Sequence, residues 1–274
     1  MNTTQRRGLN TTALALIPLA IAINIVVGQL VTGLPIYLDS IGTVLVGALL
    51  GPWMGLLTGV LSNVIWTLLG NPIPIYFAYV AGVIGLIAGF AGRWGVFVRP
   101  SPRWLSALIG GIFLFALTLF VMSFLNATRD AQGNVALPNA ADLIGQQPIV
   151  FIVALIVGLA AGYFVLRNAG YAGLAGLLTG VVAALLSAPM AAYKFGGVTG
   201  SGTDLLVAAF RASGAPILQS TLAQGTVSDP FDKMTSYMLV WLIIQALPRR
   251  LLMRFPNARA AEESQPVAEP MTSR

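Results

Sequence analysis

Apolar residues run almost unbroken through long stretches of this chain, and the polar positions gather between those stretches instead of alternating with them. A helix rises 1.5 Å per residue, so about 20 apolar residues cross the ~30 Å hydrocarbon layer of a bilayer. Stretches of that kind fall at 9–31, 75–92, 104–126, 148–166, 172–192 and 235–253. The run 40–70 is also apolar but is interrupted by Gly51-Pro52. Proline donates no helical N–H and disfavours helix at the residue before it, so the run divides into spans at 40–51 and 53–70. The pattern predicts an all-α, polytopic transmembrane bundle over 1–254 with eight spans, or six if the short ones are re-entrant. Asp204 to Arg211 has room for a short amphipathic helix on or capping the bundle. Past Pro256, Glu262, Glu263 and Glu269 stand among Ala, Pro and Ser, which predicts a disordered tail over 255–274.

Composition agrees and narrows the function. Of 274 residues, 57% are hydrophobic and 9% charged, against about 25% charged in a soluble domain. A water-soluble globule is excluded. With a cytoplasmic N-terminus, eleven of the fifteen basic residues fall on inner segments, Arg6, Arg7, Arg93 and Arg274 among them, and only Arg129, Lys194, Arg211 and Lys233 lie outside. This bias places both termini in the cytoplasm, and the net charge of +6 then marks an inner membrane face and not a nucleic-acid surface. Arg6-Arg7 ahead of an apolar run containing Ala20-Ile21-Ala22 imitates a signal peptide, but the run continues past the triplet, which predicts retention. The chain has no His and no Cys, removing imidazole acid–base work, thiolates and the usual metal ligands. Neither lysine follows a glycine, so there is no Gly-Lys-Ser/Thr phosphate loop. No enzymatic reaction, bound cofactor or metal is expected of this chain.

Small residues recur every four positions, placing them on one helix face. Gly47, Gly51, Gly55 and Gly59 form one stripe, and Ala172, Gly176, Gly180, Ala184, Ala188 and Ala192 another. Such stripes let helix backbones approach closely in lipid, either inside the bundle or against a partner subunit. Gly55-Leu56-Leu57-Thr58-Gly59-Val60 is echoed at Gly176-Leu177-Leu178-Thr179-Gly180-Val181, which allows a duplicated four-span unit.

The polar residues are sorted by side. All six aspartates, Asp39, Asp130, Asp142, Asp204, Asp229 and Asp232, fall outside, with both lysines. Asp39 and Ser40 precede the broken pair of spans and serve as a helix cap or as a ligand or coupling-ion contact. Asn63 and Trp66 share a face of the third span, and Tyr76 and Tyr79 follow the Asn71-Pro72-Ile73-Pro74 loop. Such rings belong to an interfacial belt or to the wall of a pocket. Lys194 opens a glycine- and hydroxyl-rich loop through Thr199 to Asp204, either a flexible connector or a cradle for a polar group. Asp229-Pro230-Phe231-Asp232-Lys233 stands just before the last span, with Tyr237 and Trp241 on one side of that helix. For substrate binding the candidates are Asn63, Trp66, Tyr76, Tyr79, Lys194, Thr199, Asp204, Asp232, Lys233, Tyr237 and Trp241.

Leu38-Asp39-Ser40-Ile41-Gly42, continuing as Gly47-Ala48-Leu49-Leu50-Gly51-Pro52-Trp53-Met54-Gly55 to Ser62-Asn63, resembles the substrate-binding S components of energy-coupling factor (ECF) transporters. The resemblance covers 39–92 well and 194–253 loosely, through Asp229-Pro230-Phe231-Asp232-Lys233 and Leu247-Pro248-Arg249-Arg250. It implies a multi-pass subunit in the cell membrane of a prokaryote that captures a vitamin-like micronutrient from outside. Implied partners are a membrane scaffold subunit and two cytoplasmic ATPases, which would use the ATP. Two features depart from the family: its six spans against eight here, and its docking Ala-x-x-x-Ala in the first span. Here Ala13 and Ala20, and Ala15 and Ala22, are seven apart, so docking falls to those alanines or to Gly47, Gly51, Gly55 and Gly59. The alternative is an autonomous ion-coupled secondary transporter of a small organic solute, suggested by the broken span and by Asp39 or Asp232 as ion carriers.

Overall fold

The computed structural model describes residues 11–129 and 135–263. Arg6, Arg7, Asp130, Glu269 and Arg274, and the side chains of Ala13, Arg129, Glu262 and Glu263, lie outside the described residues. The chain opens with α1 (Thr11–Leu30), α2 (Ile41–Leu50) and α3 (Pro52–Leu68), then a 3-10 turn at Pro74–Phe77 running into α4 (Ala78–Arg93). Next come α5 (Arg103–Leu125), a two-residue antiparallel pair β1 (Thr128–Arg129) and β2 (Val135–Ala136), α6 (Ala140–Gln146) and α7 (Pro148–Phe164). The last part holds α8 (Gly170–Phe195), α9 (Asp204–Ala212), α10 (Ile217–Ala246), α11 (Arg249–Leu252) and α12 (Pro256–Glu263).

Seven of the eight expected stretches are helices at nearly the expected places, and the amphipathic segment is α9. The membrane count is lower. Among the described residues three helical stretches are long and apolar enough to cross a bilayer, Pro74–Arg93, Arg103–Leu125 and Gly170–Phe195. A fourth is gained if α6 and α7, bent by 94°, count as one span. Ten-residue α2 reaches only about 15 Å, half the hydrocarbon layer.

The expected last span, 235–253, is corrected. Its helix is α10, which starts at Ile217, passes through Pro230 and ends at Ala246, before Pro248, which disfavours helix at Leu247. Asp229, Asp232 and Lys233 therefore sit in mid-helix, at most 5% exposed, not in a loop ahead of it. The expected tail is corrected as well, since its first part is α12. There the Asn257 amide donates to Gly47 O, Ala48 O and Gly89 O at 3.2–3.3 Å, joining the end of α2 to α4.

Both small-residue stripes are used within the bundle. A Cβ on Gly55 would collide with Gly85 O, and one on Gly59 with Ala81 O, so α3 and α4 touch backbone to backbone. A Cβ on Gly180 would meet Pro230 Cα and Asp229 O, so α8 admits α10 in the same way. Gly47, Gly51, Gly55 and Gly59 are thus covered or crowded by the chain's own helices, and the stripe is not free for a partner. Ala20 is also buried, against Gly42, while Ala15 and Ala22 remain exposed. The break itself forms as expected, with Gly51 at φ +102° and Pro52 opening α3.

One buried amide joins the first three helices. Asn24 on α1, fully enclosed, accepts from Gly42 N at 2.7 Å and donates to the hydroxyls of Thr43 (2.8 Å) and Ser62 (2.9 Å). It satisfies an amide at the start of α2 that has no intrahelical partner. This corrects the capping role expected of Asp39 and Ser40, since Ser40 makes no side-chain cap.

Candidate ligand-binding site

The chain reversals gather at two ends of the bundle. One end holds Asn257 against α2 and α4, Gln245 against Phe97 O and Ser106 against Arg167 O. The other end encloses a cavity of about 180 Å³, more than ten times what one water needs. Its roof joins 31–40 to the glycine-rich loop, through Gly202 N to Thr32 O at 2.8 Å and the Tyr37 and Thr203 hydroxyls at 2.7 Å.

Two helices supply much of its polar lining. On α3 stand Asn63 and Trp66; on α10 stand Gln224, Asp229 and Lys233. Apolar side chains, Phe77, Val80, Ile84, Ala183 and Val207 among them, line the space between. This mix of an apolar body and a few placed polar groups is what small-molecule sites present.

The charged groups form a linked set. Lys233 Nζ bonds Asp232 Oδ2 and reaches Asp39 Oδ1 at 3.4 Å. The other Asp232 oxygen accepts Leu38 N at 2.7 Å and Tyr37 N at 3.2 Å. Asp232 thereby ties the 37–38 backbone to α10 and holds Leu38 at φ +47°. Burial pushes the Asp39 carboxyl above its ordinary value, an effect Lys233 opposes and Asp232 reinforces. Burial, then Asp229, raises the Tyr37 phenol, which stays neutral. On α10 the Gln224 amide donates to Ser228 Oγ (2.6 Å), which donates to Asp229 Oδ1 (3.0 Å).

Two buried side-chain atoms lining the cavity have no partner among the described residues. Trp66 Nε1 and Ser40 Oγ are buried without a hydrogen bond. A buried donor left unmatched costs about 1–3 kcal/mol, so these two mark places for ligand atoms. By contrast, Asp204 is consumed by its own loop, accepting from Thr199 N, Gly200 N and the Thr199 hydroxyl at 2.7–3.0 Å.

Of the residues expected from sequence, Asn63, Trp66, Thr199, Asp204, Lys233, Asp39 and Ser40 line the cavity together. Asp232 sits behind Lys233. Lys194 does not line it; its ammonium lies 5.1 Å from the Tyr76 ring centre, and Tyr76 packs edge-on against Phe195. Tyr79 donates to Leu186 O at 2.7 Å. Tyr237 and Trp241 are core residues, Tyr237 stacked on Phe97 and hydrogen-bonded to Thr179. The sequence reading passed over Gly28, Thr32, Tyr37, Ser187 and Gln224, and did not select Asn71 or Asp229 from motifs it had noticed. Gln224 was hidden by starting the last helix 18 residues late.

A multi-pass helical membrane protein with a solute-sized cavity at one end is the class this architecture defines. Residues 12–137, a little under half of the chain, match the family model described as ECF transporter, substrate-specific component. That match supports the resemblance drawn from 39–92, which lies inside it. The family is one of substrate-specific membrane subunits, not enzymes. No curated protein and no solved structure matches the chain.

Proposed function

We propose that this chain is the substrate-capturing subunit of an ECF-type importer in a prokaryotic cell membrane, with the cavity as its binding site. The observation that carries the reading is the pairing of the family match with a cavity whose Trp66 and Ser40 groups await a ligand. The cargo is a vitamin-like micronutrient taken from outside, and the aspartate-rich end of the bundle faces out, a reading the arginine distribution supports. ATP hydrolysis belongs to two partner ATPases, joined through a scaffold subunit. Ala15 and Ala22 on the exposed face of α1 are the docking residues that remain from the sequence candidates.

Co-expression of the tagged chain with genomic neighbours and purification in mild detergent tests this directly. The expected result is a stable complex with a membrane scaffold and two ATPases, and solute uptake that stops when the ATPase lysine is replaced. Uptake by the chain alone in proteoliposomes, driven by a proton or Na⁺ gradient, would replace this reading with the ion-coupled carrier.

A further inference from the structure

Charge is unevenly matched around the cavity. The charged side chains that line it, among the described residues, are Asp39, Asp204, Asp229 and Lys233, with Asp232 immediately behind. Asp204 is satisfied by loop amides, and Lys233 with Asp232 makes a neutral pair. What is left is Asp39, which shares that lysine at 3.4 Å, and Asp229, which accepts from the Ser228 hydroxyl and also feels the charge of Lys233, with no ion pair of its own among the described residues. Asp229 is 5% exposed. A carboxylate so enclosed is costly unless an opposite charge completes it. Among the described residues no group of three or more His, Cys, Asp or Glu side chains is placed to hold a metal ion.

Trp66 makes a different demand. It is 8% exposed and its indole N–H, on α3, has no acceptor. Being a donor only, it calls for an acceptor on the ligand. The Phe77, Val80 and Ile84 side chains that also line the cavity suit a ring or short aliphatic body.

We infer that the cavity selects a small organic cation, with a protonated nitrogen at Asp229 and Asp39, an apolar body, and a hydrogen-bond acceptor meeting Trp66. This rests on the substrate-binding reading above and narrows its chemical class.

Three probes sharing one ring test it: 4-(aminomethyl)pyridine, 4-(hydroxymethyl)pyridine and pyridine-4-carboxylate, cationic, neutral and anionic at pH 7. Titration calorimetry on the full chain in nanodiscs should show the amine binding at least about tenfold tighter than the alcohol, or ~1.4 kcal/mol, and the carboxylate weakest. D229N should cut the amine-over-alcohol preference to below about threefold while D229E, keeping the charge, retains it. Equal or tighter binding of the carboxylate, or binding of none of the three, overturns the inference. If D229N does not fold, the ranking on the unmodified chain decides alone. A chain that assembles with a scaffold and ATPases yet prefers the anion would sink only the cation inference. One that prefers the amine but never assembles would sink only the importer reading.

Discussion

Replacing Asp232 by Asn separates two jobs that this carboxylate performs. The side chain is fully enclosed; one oxygen bonds Lys233 and the other accepts two backbone amides. Asn keeps an acceptor for Tyr37 N and Leu38 N but removes the negative charge, leaving Lys233 with Asp39 at 3.4 Å as its ion-pair partner. Breaking a buried pair by removing one member costs about 3–5 kcal/mol. Asp39 recovers part of this, so a loss of about 2–4 kcal/mol is expected for D232N. D232A also strips both amides of their acceptor, adding roughly 1–3 kcal/mol. In D232N/K233M the unpaired ammonium is gone, and a large part of the D232N loss should return. Equilibrium unfolding by SDS in mixed micelles, followed by far-UV circular dichroism, gives the three values on one scale. D232N within about 0.5 kcal/mol of the unmodified chain would refute the reasoning, because it would mean water reaches the pair and screens it.

Asn24→Ala leaves Gly42 N and two hydroxyls without their partner, so the same assay should show a loss of at least about 1–3 kcal/mol; an unchanged midpoint would remove the amide's role in joining α1 to α3. Gly180→Leu drives a side chain into Pro230 and Asp229 O and should cost about 1–3 kcal/mol or more, whereas the same change at Gly33, with open space around its Cβ position, should cost far less. Trp66→Phe deletes an unmatched N–H, so stability should hold or rise while affinity for the cargo falls; an equal loss of both would make Trp66 a packing residue. Asp39 holds its proton above the ordinary aspartate value, so from about pH 4 up to that raised value the folded chain binds more protons than the unfolded one. Stability therefore falls as pH rises through that window, and a melting curve of D39N that keeps the full slope would contradict the assignment.

Helix positions were legible because apolar runs forming helices of 16 to 26 residues leave a strong signal, and because Gly51-Pro52 could only be a break. The end of the chain was not. Asp229, Asp232 and Lys233 look like loop residues to any reading that expects spans to be apolar, and only the packing of Gly176 and Gly180 against α10 explains how they sit inside. Half of the site was foreseeable, since Asn63, Trp66, Asp39 and the glycine-rich loop stand out as polar groups beside apolar runs. Tyr37 and Gln224 carry no such signal, because their roles depend on which chain reversals fold over the cavity. Asn24 is a lone amide in an apolar span, a cue for a buried partner that went unused. The small-residue stripes show the limit of spacing alone: it marks a close approach but does not say to what.

Leu38 gives the roof of the cavity a kinetic character. A leucine at φ +47° sits about 1–2 kcal/mol above its relaxed backbone, and two amide bonds to one carboxylate keep it there. The segment 31–40 is thus the part of the fold whose local opening releases tension as well as contacts. Its amides should exchange with solvent faster than those of α2, which follows it directly.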